Sequence, residues 1–172
     1  MSKIIEDNQD WTISVLVDNE AGVLARVIGL ISGRGYNIES LTVAEVNKAE
    51  HMSRITIVTT GTAKVIRQLE AQLDRLVPVH SVLNLTADID SLEREMALVK
   101  VVASGDKRVE SLRLSEAFRA KVMDATHGSF VFELTGSPQK IDAFIDLMHP
   151  LGLSAVSRTG VVAISKGSSN MG

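Results

Sequence analysis

Apolar and polar residues alternate along the first part of the chain in a pattern that changes period several times. From Trp11 to Asp18 the alternation is two-fold, with Ile13, Val15 and Val17 on one face, which predicts a strand. A polar turn, Asp18-Asn19-Glu20-Ala21-Gly22, follows. Val23, Val27, Ile28 and Ile31 then recur at helical spacing to about Arg34, with Gly33 and Gly35 bracketing the end. Asn37 to Val46 returns to strand alternation through Leu41 and Val43. Asn47 to Glu50 is a hairpin loop, and Ser53 to Thr60 is a third strand carrying Ile55 and Ile57. Gly61-Thr62 opens a second helix with Val65, Ile66, Leu69 and Leu73 as its stripe, and Val77 to Leu85 closes the unit as a strand. The order strand, helix, strand, strand, helix, strand is that of a split ferredoxin-like unit.

A polar, acidic stretch comes next, and then a similar order recurs. Glu95 to Ala103 is a strand apolar on both faces, hence expected to be central. Asp106 to about Ala120 reads as helix with Val109 and Leu112 inward. Lys121 to Ala125 and Ser129 to Thr135 form a hairpin around His127-Gly128, with Phe130, Phe132 and Leu134 on one face. Ser137-Pro138 is a helix start, Ser as cap and Pro at the first helical position. Ile141, Phe144, Ile145 and Met148 give its stripe, and a last strand from Leu153 to Ile164 is interrupted near Arg158-Thr159-Gly160. The predicted fold class is α+β: two ferredoxin-like domains, each an antiparallel sheet with helices on one face. Residues 11–86 form the first, 87–94 a linker, 95–166 the second and 167–172 a disordered tail. Four strands covered by two helices leave a sheet edge open, which predicts a homodimer through that edge.

Composition narrows the function. The 172 residues carry 18 Lys and Arg against 21 Asp and Glu, a net charge of −3, so there is no cationic surplus for nucleic acid. Without cysteine there is no disulfide, thiolate nucleophile or cysteine metal site. The polar, acidic start lacks a signal or transit pattern, and no apolar run is long enough to span a bilayer, so a cytoplasmic protein without membrane contact is expected. His51, His80, His127 and His149 are not in metal-type spacing, and the acidic residues Asp88, Asp90, Glu93 and Glu95 read as a solvated hinge. Trp11 is expected at a domain edge, and Arg158 either pairs with an acidic partner surface or serves locally. Nowhere do a nucleophile, a base and an orienting group gather into a catalytic constellation.

The most informative segment is Asn19-Glu20-Ala21-Gly22-Val23-Leu24, at a strand-to-helix junction. A helix start leaves backbone N–H groups unpaired and carries the positive end of the macrodipole, which suits a carboxylate. Gly22 lets an anion approach, and Asn19 offers both donor and acceptor to an amino acid, as does Asn37 from the neighbouring strand. The same residues also allow a simpler role, with Asn19 as helix cap and Gly22 relieving crowding.

The run Val15-Leu16-Val17-Asp18-Asn19-Glu20-Ala21-Gly22-Val23-Leu24 resembles the start of an ACT domain, an amino-acid-sensing module. The continuation from Arg26-Val27-Ile28-Gly29-Leu30-Ile31 through Gly35-Tyr36-Asn37-Ile38-Glu39-Ser40-Leu41-Thr42-Val43 is similar to the regulatory small subunit of acetolactate synthase. Later stretches extend that resemblance, among them Ser53-Arg54-Ile55-Thr56-Ile57, Leu98-Val99-Lys100 and Arg158-Thr159-Gly160-Val161. The resemblance implies a chain with no activity and no cofactor of its own. It implies a large catalytic subunit as partner, holding thiamine diphosphate, FAD and Mg. It also implies activation of that partner and feedback inhibition by valine, bound between two ACT domains of a homodimer. By motif position it nominates Asn19, Gly22 and Asn37 as effector residues, with the backbone of Ala21, Val23 and Ile38 beside them, and it gives the second domain a part in engaging the catalytic subunit. Valine, leucine and isoleucine are not told apart, since they differ by about 1–3 kcal/mol in an apolar pocket.

Overall fold

The computed structural model describes residues 8–87, 90–168 and 170–171, and divides into two compact units. The first contains β1 (Gln9–Asp18), α1 (Val23–Gly33), β2 (Ile38–Asn47), β3 (Met52–Gly61), α2 (Ala63–Asp74) and β4 (Val79–Asn84). Its antiparallel sheet runs β2-β3-β1-β4, so the two long strands β1 and β3 are interior and β2 and β4 are edges. Ile13, Val15 and Val17 of β1, with Ile55 and Ile57 of β3, meet Val23, Val27 and Ile31 of α1 and Ile66, Leu69 and Leu73 of α2 in one core. Full burial of each such side chain stabilises by about 1.5–3 kcal/mol, which is why the helical period falls on these positions. Ile28 and Val65, at the margins of the predicted stripes, are only half-buried. Trp11 is in this core and not at an edge: its indole N–H donates to Gly61 O at 2.9 Å, which removes the polar cost of burying it. Thr62 caps α2, its hydroxyl accepting the Val65 N–H.

The second unit holds β5 (Ser91–Val102), α3 (Gly105–Ala117), β6 (Lys121–Ala125), β7 (Ser129–Gly136), α4 (Pro138–Met148), a 3-10 turn (His149–Leu151) and β8 (Leu153–Arg158). The sheet order β6-β7-β5-β8 repeats that of the first unit. Ala97, Val99 and Val101 pack with Phe130, Phe132 and Leu134 under Ile141, Phe144 and Met148. Ser137 accepts the Lys140 N–H at 3.3 Å, so the predicted cap and N1 proline are in place. Three expectations need correction here. Val109 faces solvent, and α3 instead buries Ser111 and Ser115, whose hydroxyls bond back to the carbonyls of Arg108 and Leu112. Leu112 does pack against the core as expected, with Leu114 beside it, and the small serines with self-satisfied hydroxyls let the helix lie close to its neighbours. β5 is central as expected, but Leu98 and Val102 on its second face are exposed within this unit. The stretch 91–94 is strand and not linker, because β5 begins at Ser91.

The division between units falls at Leu92/Glu93, and from Val161 onward the chain belongs to the first unit. The predicted interruption near Arg158-Thr159-Gly160 is real, and it is where the chain leaves the second unit before β9 (Val162–Ser165). β9 pairs with β5, whose first residues Ser91 and Leu92 lie in that same unit. In the segment expected to be a disordered tail, Met171 is buried and its carbonyl accepts from Arg54, which anchors it. Ser169 and Gly172 lie outside the described residues.

Candidate functional site

β1 ends at Asp18, and the turn that follows delivers Gly22 to the start of α1 with φ 85°. That left-handed conformation suits glycine, since an L side chain there costs about 1–2 kcal/mol. No side chain caps this helix. The Asn19 amide points elsewhere, donating to Glu45 Oε1 at 3.1 Å, and its backbone N–H donates to His51 O at 2.7 Å. The capping role open to Asn19 is therefore not taken. Val23 N–H is turned to Glu20 O, while the N–H groups of Leu24 and Ala25 have no acceptor among the described residues. Ala21, Gly22 and Leu24 are exposed, and Val23 anchors the turn in the core. The result is an uncapped helix start at the surface, with donors and a positive dipole end facing outward.

Asn37 and Ile38 are elsewhere. Asn37 precedes β2, its carbonyl accepting from buried Thr59 at 2.5 Å, and Ile38 pairs with Thr59. Thr59 also faces Trp11, near the beginning of β1, whereas Asp18 and Asn47 both face Met52. Asn19 and Gly22 thus lie at one end of the sheet and Asn37 at the other, about 30 Å apart at 3.3 Å per strand residue. The expectation that Asn37 joins Asn19 from the neighbouring strand fails within one chain, because α1 carries the chain the full length of the sheet before β2 starts. At both ends the asparagine amide holds a carboxylate of β2: Asn19 that of Glu45, Asn37 that of Glu39. Glu39 and Val46 are the extra residues of two bulges, which leave Ser40–Glu45 as the regular run of the edge. Sequence reading missed both glutamates, for their partners are set by strand position and not by spacing from a motif.

The remaining candidates resolve as structural. Arg158 is held by Glu95 through two hydrogen bonds of 2.7 Å and by Asp142 at 2.7 Å, so it pairs within its own unit. The hydrogen bonds it donates to Glu95, and then to Asp142, hold its guanidinium pKa above the ordinary value despite desolvation. The solvated-hinge reading of the acidic cluster is corrected at Glu95, which is buried in that pair; Asp90 is exposed and pairs with Lys166, while Asp88 lies outside the described residues. His80 pairs with Asp18 at 2.6 Å. His51 is in the β2–β3 loop with φ 51°, and no metal-type cluster of His, Asp and Glu occurs among the described residues. A groove of about 700 Å³ on the first unit's open sheet face, lined by Leu16, Met52, Arg54, His80 and Ser81 among others, contains none of the nominated residues.

Comparison with known proteins places this geometry in a family. A profile described as the AHAS small subunit-like ACT domain matches residues 13–81, and one described as the small subunit of acetolactate synthase matches residues 94–167. The acetolactate synthase isozyme 3 small subunit of Escherichia coli is 46% identical over 156 residues, 90% of this chain and 94% of that one. The acetolactate synthase small subunit of Haemophilus influenzae is 42% identical, covering 92% of this chain and 97% of its own. The chain belongs to the acetolactate synthase small-subunit family. The crystal structure of the acetolactate synthase small subunit of Thermotoga maritima aligns with a TM-score of 0.82 and 36% identity over 94% of this chain and 99% of that one. The family's ACT domain is thus the four-stranded unit carrying Asn19, Gly22 and Asn37, and its C-terminal domain is the unit closed by the Glu95–Arg158 pair. Among the described residues no helix is long and apolar enough to cross a membrane.

Proposed function

We propose that this chain is the regulatory subunit of an acetolactate synthase, that it binds and activates the large catalytic subunit, and that it confers feedback inhibition by valine in branched-chain amino acid synthesis. The chain itself is non-catalytic and cytoplasmic in this reading. Thiamine diphosphate, FAD and Mg reside on the catalytic subunit, where they supply the carboligation chemistry.

One observation carries the effector site: Asn19 and Gly22 sit at one end of edge strand β2 and Asn37 at the other. Two copies related by a two-fold axis pair equal edges antiparallel, so the start of one β2 lies beside the end of its partner. Asn37 of one copy then comes to Asn19 and Gly22 of the other, and the dimer holds two equivalent sites. In each, the ligand carboxylate meets the free N–H groups of Leu24 and Ala25, and the asparagine amides bind its polar atoms. The backbone of Ala21, Val23 and Ile38 borders the ligand. A site shared between chains ties occupancy to the geometry between chains, which is how an effector that binds one arrangement more tightly shifts the equilibrium toward it.

The test is acetolactate formation by the catalytic subunit of the same organism, with and without this chain, across a valine titration. Activity that rises on adding the chain and falls with valine is the expected outcome. No change on adding the chain refutes the partnership. Activation that valine leaves untouched refutes the effector.

A further inference from the structure

On the sheet face away from the helices, β2 holds the C-terminal segment of the chain. Val161, 5% exposed, is gripped on both backbone groups: its N–H donates to Ser40 Oγ at 2.8 Å, and its carbonyl accepts from Thr42 Oγ1 at 2.9 Å. Ser40 and Thr42 are two residues apart on one strand, so both hydroxyls project to the same face. The segment is fixed again further on. Lys166 donates its N–H to Asp90 O and its ammonium to the Asp90 carboxylate. The Met171 carbonyl accepts from Arg54, which also donates to Ser14 Oγ at 2.8 Å. Val161 is the first residue after Gly160, the last of the second unit. The chain therefore returns from that unit directly onto β2.

Three residues upstream of Ser40 is Asn37, whose amide donates to the Glu39 carboxylate. Glu39 is the bulge residue: Ile38 faces Thr59 and Ser40 faces Val58, with nothing opposite Glu39. A bulge is where a strand can re-aim residues without dissolving the ladder beside it. The Asn37 amide has a second N–H beside the one given to Glu39, and a ligand carboxylate that accepts from this amide sets another negative charge beside Glu39, which favours release of the Glu39 contact. Free and occupied states thus differ by a named contact at the one irregular position between the site and the clamp.

We propose that the β2 segment Glu39–Thr42 couples effector occupancy to the second unit, with the ligand displacing Glu39 from Asn37 and the change at the bulge passing to Val161 through Ser40 and Thr42. The proposal rests on the effector site above. The contact that a ligand exchanges supplies the differential interaction that any such shift requires.

The experiment uses the double variant Ser40→Ala/Thr42→Val reconstituted with the catalytic subunit. Valine affinity is measured by calorimetry on the small subunit, and inhibition by titrating acetolactate formation. Expected are stimulation as in the unsubstituted chain, valine affinity within about two-fold, and maximal inhibition reduced at least five-fold, each fold-change being read directly. Thr42→Ser, which keeps a hydroxyl, should retain inhibition. Full inhibition by the double variant at unchanged affinity overturns the coupling, and so does a joint loss of affinity, which would make the pair part of the site. Failure of the effector reading is distinct, since the unsubstituted chain itself would then bind no valine. Glu39→Gln replaces a charge-assisted acceptor by a weaker neutral one and should tighten valine binding about three-fold; unchanged or weaker binding overturns the displacement step.

Discussion

The two edge strands that occupy the same place in the two units are very different. β2 has ten residues, with six in regular register between its bulges, whereas β6 has five, interrupted by a register shift between Val122 and Asp124. A short, bulged edge is a poor template for pairing, and a long one is a good template. The same topology thus offers one edge fit for self-association and one blunted against it. The helix starts diverge as well. Both use a left-handed glycine, Gly22 at φ 85° and Gly105 at φ 57°. Gly22 itself holds the N-cap position of α1, whereas α3 has Ser104 there, Gly105 as its first residue and Asp106 in its first turn. An acidic side chain in that turn already complements the dipole that α1 leaves open. A shared fold therefore does not share its surface chemistry: the difference lies in strand length and in what meets the helix dipole.

The largest effect should separate the two glycines. Gly22→Asp is expected to weaken valine binding by 100-fold or more, about 2.7 kcal/mol, because its carboxylate occupies the anion position and repels the ligand's own. Gly105→Asp bears similar backbone strain and should leave affinity within about two-fold in calorimetry. Tight binding by Gly22→Asp would remove that helix start from the site.

Second, Arg158→Met should destabilise the C-terminal domain by about 2–3 kcal/mol in denaturant unfolding. It strands the Glu95 carboxylate, and the effect is discounted because Arg158 is about a third exposed. A change below about 0.5 kcal/mol would show that the pair is not what closes that unit.

Third, Asn37→Ala should weaken valine binding by about 1–3 kcal/mol. Mixed in equal amounts with Asn19→Ala chains and allowed to exchange, it should recover about a quarter of the binding sites, because each mixed dimer contains one intact pair. No recovery would mean that both asparagines act from one chain, against their placement at opposite ends of the sheet.

The smallest effect tests the edges themselves. Val43→Lys on β2 should raise the dimer dissociation constant about ten-fold in sedimentation, and Met123→Lys on β6 should leave it unchanged. Equal effects, or none, would break the comparison on which the proposed shared site rests.

The local reading of the sequence carried far in some places and not in others. Among the described residues, periodicity located α1, α2, α4 and the strands within a few residues, since an apolar stripe such as Ile66-Leu69-Leu73 has no other economical way to be buried. The Ser137-Pro138 start was legible because its chemistry is complete within four residues. Val109 was misplaced because the buried face of α3 is centred on Ser111 and Ser115, with Leu112 and Leu114 beside them, and no hydrophobic pattern marks the serines. Trp11 was misjudged and the role of Arg158 was left undecided because their partners, Gly61 and Glu95, are 50 and 63 residues away.

What the sequence by itself determined is the repeated α+β plan and the family resemblance. Both follow from local pattern, where neighbours along the chain decide the outcome. Only the tertiary structure decided that Asn19 and Asn37 stand at opposite ends of one sheet, that Glu39 and Glu45 hold their amides, and that Val161 returns to β2. These are facts of strand order and register, which depend on contacts between residues far apart in the chain and leave no periodic trace in it.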